Sequence, residues 1–187
     1  MLAIIAFTIT VSIILGRTKA PRVIKKIEKA LAVYYFETAH AASGELVADY
    51  ISVSQVDVEN MRKKILTVEV AYMANNGEYE KAIGLLTEFN FTGSFSEFVY
   101  YGSRSSNNLL VEEASFFNMN LEVIISEMVN ENKHEEAISY CKLYYKGIPV
   151  MLSDFVFDEK NGDKPQRWKL DYTARDNKIE KLKNISN

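Results

Sequence analysis

Cysteine, proline and glycine are all scarce in this 187-residue chain, and each scarcity excludes something. A single cysteine, Cys141, cannot close an internal disulfide, so a disulfide-stapled fold is excluded. Three prolines and eight glycines suit long helices better than a strand-rich barrel, which needs many tight turns. No low-complexity linker divides the sequence, and neither a glycine-rich phosphate loop nor a serine-nucleophile elbow is present. What the chain does have is apolar mass. Hydrophobic residues make up 48% and aromatics 12%, enough to bury a core and to argue against disorder.

One long charge-free run stands out, MLAIIAFTITVSIILG from Met1 to Gly16. Cations follow it at once: Arg17, Lys19, Arg22, Lys25, Lys26 and Lys29, with Glu28 the only acid in the first 29 residues. A cleaved secretory signal carries its cations before the apolar stretch, and here they come after it. No cysteine lies near the run, so a lipoprotein anchor has no attachment point. As a helix the run spans roughly 24 Å, short of a hydrocarbon core of about 30 Å. Arg17 and Lys19 extend its reach by snorkelling their charged ends to the interface. These flanks predict a membrane anchor helix over 1–20. The alternative is a buried core helix at the start of a soluble domain, but Ile and Val crowd every side of the run and leave no polar face.

A spanning run places its cationic flank, and with it the bulk of the chain, in the cytoplasm as a single-pass protein. Beyond residue 29 the balance reverses, with 16 basic residues against 24 acidic ones. The basic collar suits anionic headgroups, whereas an acidic body is repelled by phosphate, so a nucleic-acid partner is not expected.

The remaining sequence reads as a helical domain over 21–150 and a smaller C-terminal piece over 151–187. Pro21 suits the first turn of a helix. Ile24, Ile27, Leu31, Tyr34 and Tyr35 continue at helical spacing and predict one helix from Val23 to about Ser43, with Gly44 ending it. A short helix is expected over 45–54. Ser54 followed by Asp57 marks the next start, and Met61, Ile65, Val68, Tyr72 and Met73 form its apolar stripe. After Asn76-Gly77, a partner helix over 78–89 turns Tyr79, Ala82, Ile83, Leu85 and Leu86 inward.

The stretch AYMANNGEYEKAIGLLTEF (Ala71 to Phe89) resembles the turn and second helix of a tetratricopeptide repeat. Gly77, Tyr79 and Ala82 match the family's turn glycine, packing aromatic and packing alanine in type and spacing. A weaker copy runs from Leu121 to Lys146, with Ala137 as the alanine, Asn132 in place of the glycine and His134 in place of the aromatic. The two alanines lie 55 residues apart, not the 34 of contiguous repeats, and unrelated helical hairpins give the same pattern. The resemblance implies a concave helical surface that binds a protein or peptide.

Between these copies, Asn90 to Asn108 interleaves aromatics with small polar residues. It reads either as a loop pinned to the core or as a recognition patch of Phe95, Phe98, Tyr100 and Tyr101. Leu109 is the expected start of the next helix. After Gly147 and Pro149 the period changes to alternation. A two-residue turn at Asn161-Gly162 would set Phe155 opposite Trp168 and Asp154 opposite Lys169, a C-terminal β-hairpin; the alternative is a longer loop around 159–166. The tail from Asp176 is short and polar and predicts no more than a frayed helix or an extension.

Candidate chemistry is thin. Glu37 and His40 have the spacing of helical di-iron ligands, but the other Glu-x-x-His, Glu131 to His134, straddles the turn expected at Asn132, so no second helical pair completes such a site. His134-Glu135-Glu136 reads as an acidic first turn. Cys141 sits in an apolar stripe and reads as a buried, inert thiol. The segment 158–162 fails as a calcium loop, because Phe157 falls at the first ligand position. No catalytic residue, cofactor or metal ligand is assigned. The fold class expected is mostly α: a repeat-like bundle of helical hairpins with an N-terminal transmembrane helix and a small C-terminal β-hairpin packed on the helices. The function expected is non-covalent binding of a protein or peptide at a membrane. The alternatives are an immunity-type protein neutralising a toxin there, or an enzyme with scattered acids. A deep pocket lined by two or more acids would favour the enzyme; an open groove with exposed aromatics would favour binding.

Overall fold

Three times among the described residues a helix ends in a left-handed residue and a second helix starts two residues later. In the computed structural model, which describes residues 19–46, 53–89, 100–101, 104–151 and 167–186, seven helices account for most of the described residues. They are α1 over 19–32, α2 (Phe36–Gly44), α3 (Gln55–Asn75), α4 (Tyr79–Glu88), α5 (Arg104–Asn130), α6 (His134–Tyr144) and α7 (Thr173–Ser186). The strands β1 (Tyr100–Tyr101), β2 (Ile148–Met151) and β3 (Arg167–Asp171) form a small antiparallel sheet in the order β1-β3-β2.

The helix breaks after α1, α3 and α5 are built alike. Tyr34, Gly77 and Asn132 take φ of +58°, +73° and +61°. At each break the next residue's N–H reaches back five residues: Tyr35 to the Ala30 carbonyl (2.9 Å), Glu78 to Met73 (2.9 Å) and Lys133 to Met128 (2.8 Å). The left-handed residue itself donates to the carbonyl three before it, Leu31, Ala74 or Val129. These two bonds satisfy carbonyls that the helix end leaves open, and the left-handed residue makes them possible. Burial repeats with the turns. Five residues after each stands a fully buried alanine, Ala39, Ala82 or Ala137, and seven residues before it a fully buried Ile27, Val70 or Ile125.

The first of these turns corrects the single helix expected from Val23 to Ser43: the chain breaks at Val33–Tyr35 instead. Other starts follow local chemistry. Ser54 Oγ accepts the Asp57 N–H (3.1 Å) while Asp57 Oδ2 accepts the Ser54 N–H (2.9 Å), a reciprocal cap that opens α3 as its sequence suggests. Helix α5 begins at Arg104, five residues before Leu109. The tail forms a 14-residue helix rather than a frayed end. Asp171 Oδ1 accepts both the N–H and the hydroxyl of Thr173 at its start, Leu182 is buried, and Lys178 pairs with Glu122 of α5. That local cap and those two tertiary holds override the polar composition of the segment. The short helix expected over 45–54 falls largely on residues outside those described.

The chain folds as two compact units, Met1–Tyr72 and Met73–Asn187, with their border inside α3. In the first, Val23, Ile27, Ala30 and Leu31 of α1 pack with Ala39 and Ala42 of α2 and with Val58 and Ile65 of α3. In the second, α5 is central and packs against α4, α6 and β2, while α7 packs on α6. Its largest buried side chains include Phe117, Leu121, Ile124, Ile125 and Met128. Each such burial contributes about 1.5–3 kcal/mol.

The hairpin of β2 and β3 is antiparallel, but its register differs from the expected one. Trp168 stands opposite Met151, not Phe155, and Lys169 opposite Val150, not Asp154. Two contacts fix the start of β2. The Asn118 side chain, 28 residues earlier on α5, holds both backbone groups of Lys146 at 2.8 Å. Gly147 lies so close to β3 that an added Cβ would stand 2.7 Å from Leu170 Cβ and 2.8 Å from Tyr172 Cζ. The tyrosine ring end could swing away, but Leu170 Cβ moves only with its strand. Gly147→Ala is therefore expected to cost about 1–3 kcal/mol, read as a lower urea midpoint. An unchanged midpoint would mean that β2 and β3 separate freely at this point. Phe155, Asp154 and the Asn161-Gly162 turn lie outside the described residues.

Among the described residues, no helix is long and apolar enough to cross a membrane. The anchor run Met1–Gly16 lies outside them.

Candidate functional site

The turn after α1 uses an unusual residue. Glycine and asparagine, which take the left-handed conformation cheaply, occupy two of the three equivalent positions, and Tyr34 occupies the third. A side chain there costs roughly 1–2 kcal/mol, and strain of this kind gathers at sites where the side chain is needed. The Tyr34 ring lies over Tyr72 of α3 at 4.8 Å between centroids. Phe36 completes a trio at 5.4 Å from Tyr72 and 6.2 Å from Tyr34. Tyr34 nevertheless remains 54% exposed and Tyr72 39%, so the trio presents aromatic surface to solvent. Val33 and Tyr35, at 55% and 68%, widen the patch.

Beside this turn, α1 and α2 form an open groove of about 490 Å³ lined by Arg22, Lys25, Lys26, Lys29, Ala30, Val33, Tyr35 and Thr38. Four of its eight lining residues are cations and none is an acid. Lys26 bonds Glu45 at 2.7 Å, and this bond, more than any other influence, holds the Glu45 carboxyl below its ordinary range. A second groove of about 330 Å³, lined by Ile24, Leu46, Val53, Asp57, Asn60, Met61 and Lys64, contains one acid. Neither offers the paired carboxylates that general acid–base chemistry uses.

His40 and Glu69 meet in the same unit. His40 Nε2 lies 2.7 Å from Glu69 Oε2, with Glu69 buried on α3 and His40 half exposed on α2. Burial of a carboxylate demands a partner, and His40 supplies it. The contact thus ties α2 to α3. Among the described residues, no group of three His, Cys, Asp or Glu could hold a metal ion.

In the second unit the turns after α3 and α5 lie side by side. A Cβ on Gly77 would stand 3.7 Å from Glu131 Oε1, and the Lys133 ammonium sits 4.6 Å from the centre of the Tyr79 ring while bonding Glu131 at 2.8 Å. Burial first, and the nearby Glu131 second, push the Tyr79 phenol up to about 12. His134 opens α6 with Glu135 and Glu136 in its first turn, as its sequence suggests. Cys141 is fully buried, and burial pushes its thiol up to about 11, which makes it a poor nucleophile at neutral pH.

Of the aromatics singled out in the sequence, Phe95 and Phe98 lie outside the described residues. Tyr100 and Tyr101 form β1, paired with Trp168 and Arg167 of β3, so their backbone belongs to a sheet rather than a loop. Sequence reasoning assigned Tyr34 and Tyr35 to a helix interior and so missed the patch at the first turn. The run Tyr34-Tyr35-Phe36 was the available signal, being three consecutive aromatics that no single helix face can bury together. Comparison with protein-family models, with characterised proteins and with solved structures finds no match to this chain.

Proposed function

We propose that this protein is a membrane-tethered module of tetratricopeptide-like helical hairpins that binds a protein or peptide partner non-covalently, with the bulk of the chain on the cytoplasmic side. The observation that carries the reading is the left-handed, strained and half-exposed Tyr34, stacked on Tyr72 where glycine would serve the turn better. Tyrosine offers large, rigid contact area at low entropic cost, and aromatic anchors dominate interface energies. Both grooves described above are open and lack paired acids, which favours recognition over catalysis. The repeated turn geometry, with its buried alanines, supports the repeat-like part of the reading.

The turn itself supplies a clean test. Glycine fits a φ of +58° without strain, so Tyr34→Gly keeps the break after α1 while deleting the ring. Capture of partners from detergent-solubilised membranes by the full chain should fall by at least about 30-fold in this variant, the loss typical of an interface anchor. Its circular dichroism should be unchanged. Equal capture by wild type, Tyr34→Gly and Tyr72→Ala would overturn the reading. A captured toxin would identify the protein as immunity-type, and any other stable partner as a scaffold.

A further inference from the structure

The groove beside α1 has a chemistry that protein recognition at the aromatic trio leaves unused. We infer that the face formed by Arg22, Lys25, Lys29, Val33 and Tyr35 docks on the anionic surface of a lipid bilayer. Arg22, Lys25 and Lys29 follow one another at three- and four-residue steps, so they share one side of α1, and Val33 stands in the turn just beyond its end. Among the described residues, no ion pair engages Arg22, Lys25 or Lys29, whereas Lys26 is committed to Glu45 and the neighbouring acid Glu28 to Lys64 at 3.3 Å. Three uncommitted cations therefore line a groove whose far end is apolar, at Val33 and Tyr35. Basic residues beside an exposed tyrosine are the composition of a surface that lies at the headgroup level.

The chain's connectivity favours lipid over an acidic protein as the occupant. Only five residues separate Gly16, the end of the apolar run, from Arg22, so the two lie within about 20 Å in any conformation. From Lys19 to Lys29 the helix adds about 15 Å. If the run enters a bilayer, the groove is held within reach of the headgroups, where each cation near an anionic leaflet strengthens docking roughly five-fold. The groove offers no paired acid or sheet edge for a peptide backbone. The inference rests on the proposed tether only for this proximity, and the test reads tether and docking separately.

Thr38 lines the groove and is exposed, and Cys141 is buried with a thiol too weakly acidic to react. Thr38→Cys in the full chain therefore takes an environment-sensitive dye at one place. The labelled protein is reconstituted into phosphatidylcholine vesicles with or without phosphatidylglycerol. Flotation with the neutral vesicles reports the tether, and dye emission reports the groove. Emission should move to that of an apolar environment only with phosphatidylglycerol and should return in high salt. Arg22→Gln/Lys25→Gln/Lys29→Gln should weaken docking on the order of 100-fold, while Lys142→Gln/Lys181→Gln/Lys183→Gln, an equal loss of charge elsewhere, should leave it intact. Equal emission in both lipids, or equal loss in both triple variants, would overturn the inference. So would an emission change produced in detergent by polyglutamate at physiological salt, which would assign the groove to an acidic protein.

Discussion

Phe117→Ala is expected to lower the stability of the chain by about 3–5 kcal/mol, the range for deleting a fully buried aromatic. Phe117 is the largest completely buried side chain among the described residues, on the helix against which α4, α6 and β2 all pack. A helix packed on several sides cannot move inward to refill a void without disturbing its other contacts, so most of the cavity cost should persist. The ring also faces the Lys146 ammonium at 4.7 Å, and burial already depresses the pKa of that lysine. Losing the ring removes an attraction from a cation that is partly desolvated, so the variant combines a cavity with a less compensated charge. Against a total stability of about 5–15 kcal/mol for a typical domain, this one change consumes a large share. Urea denaturation checks it; a loss below about 1 kcal/mol would show that α5 relaxes into the space.

The second large effect is expected one residue later. Asn118 donates from Nδ2 to the Lys146 carbonyl and accepts the Lys146 N–H at Oδ1, both at 2.8 Å and with the asparagine itself buried. Leucine keeps its branched heavy-atom outline but is bulkier and offers neither bond. Asn118→Leu leaves two backbone groups without their partner, at about 1–3 kcal/mol each, so a loss of about 2–5 kcal/mol is expected. Asn118→Asp should not rescue it, because a carboxylate retains the acceptor yet sets a second acceptor against the Lys146 carbonyl. The decisive measurement is amide exchange at Lys146. Its protection should disappear in Asn118→Leu, and survival of that protection would show that the strand entry is held by something else.

Those two neighbours also explain where sequence reasoning succeeded and failed. The break after α3 was legible because Gly77 announces a left-handed residue and Ala82 a close helix contact. The break after α1 is physically the same turn, with Ala39 in the alanine position, but its left-handed residue is Tyr34. Nothing in a tyrosine signals that conformation, and its aromatic neighbours extend the helical period, so the two helices merged into one. The hairpin register failed for another reason. The turn dipeptide and the Phe155–Trp168 pairing are local signals, whereas the register is set by Asn118 from 28 residues away and by Gly147 under Leu170. An asparagine inside a helix, where it is a weak helix former, was the hint available. Helix α7 was undervalued because its anchors, Leu182 and the Lys178–Glu122 pair, count for little in a polar segment read without its neighbours. For the candidate site, the basic stripe on α1 was plain in the sequence. The aromatic trio was not, since Tyr72 comes from α3, 36 residues beyond Phe36.

Pro149 gives the small sheet a property beyond its register. It stands opposite Leu170, and lacking an N–H it can sit only where its nitrogen points away from β3. Alternation then turns the amides of Ile148 and Val150 toward β3 and leaves the outer rim of β2 with Met151 as its lone outward donor in four residues. Another polypeptide seeking to extend the sheet would meet a rim largely stripped of donors, on a strand too short to align a zipper. The same substitution pattern that spoils a central strand here acts as a guard against self-assembly, an advantage for a protein that the proposed tether would concentrate in the plane of a membrane.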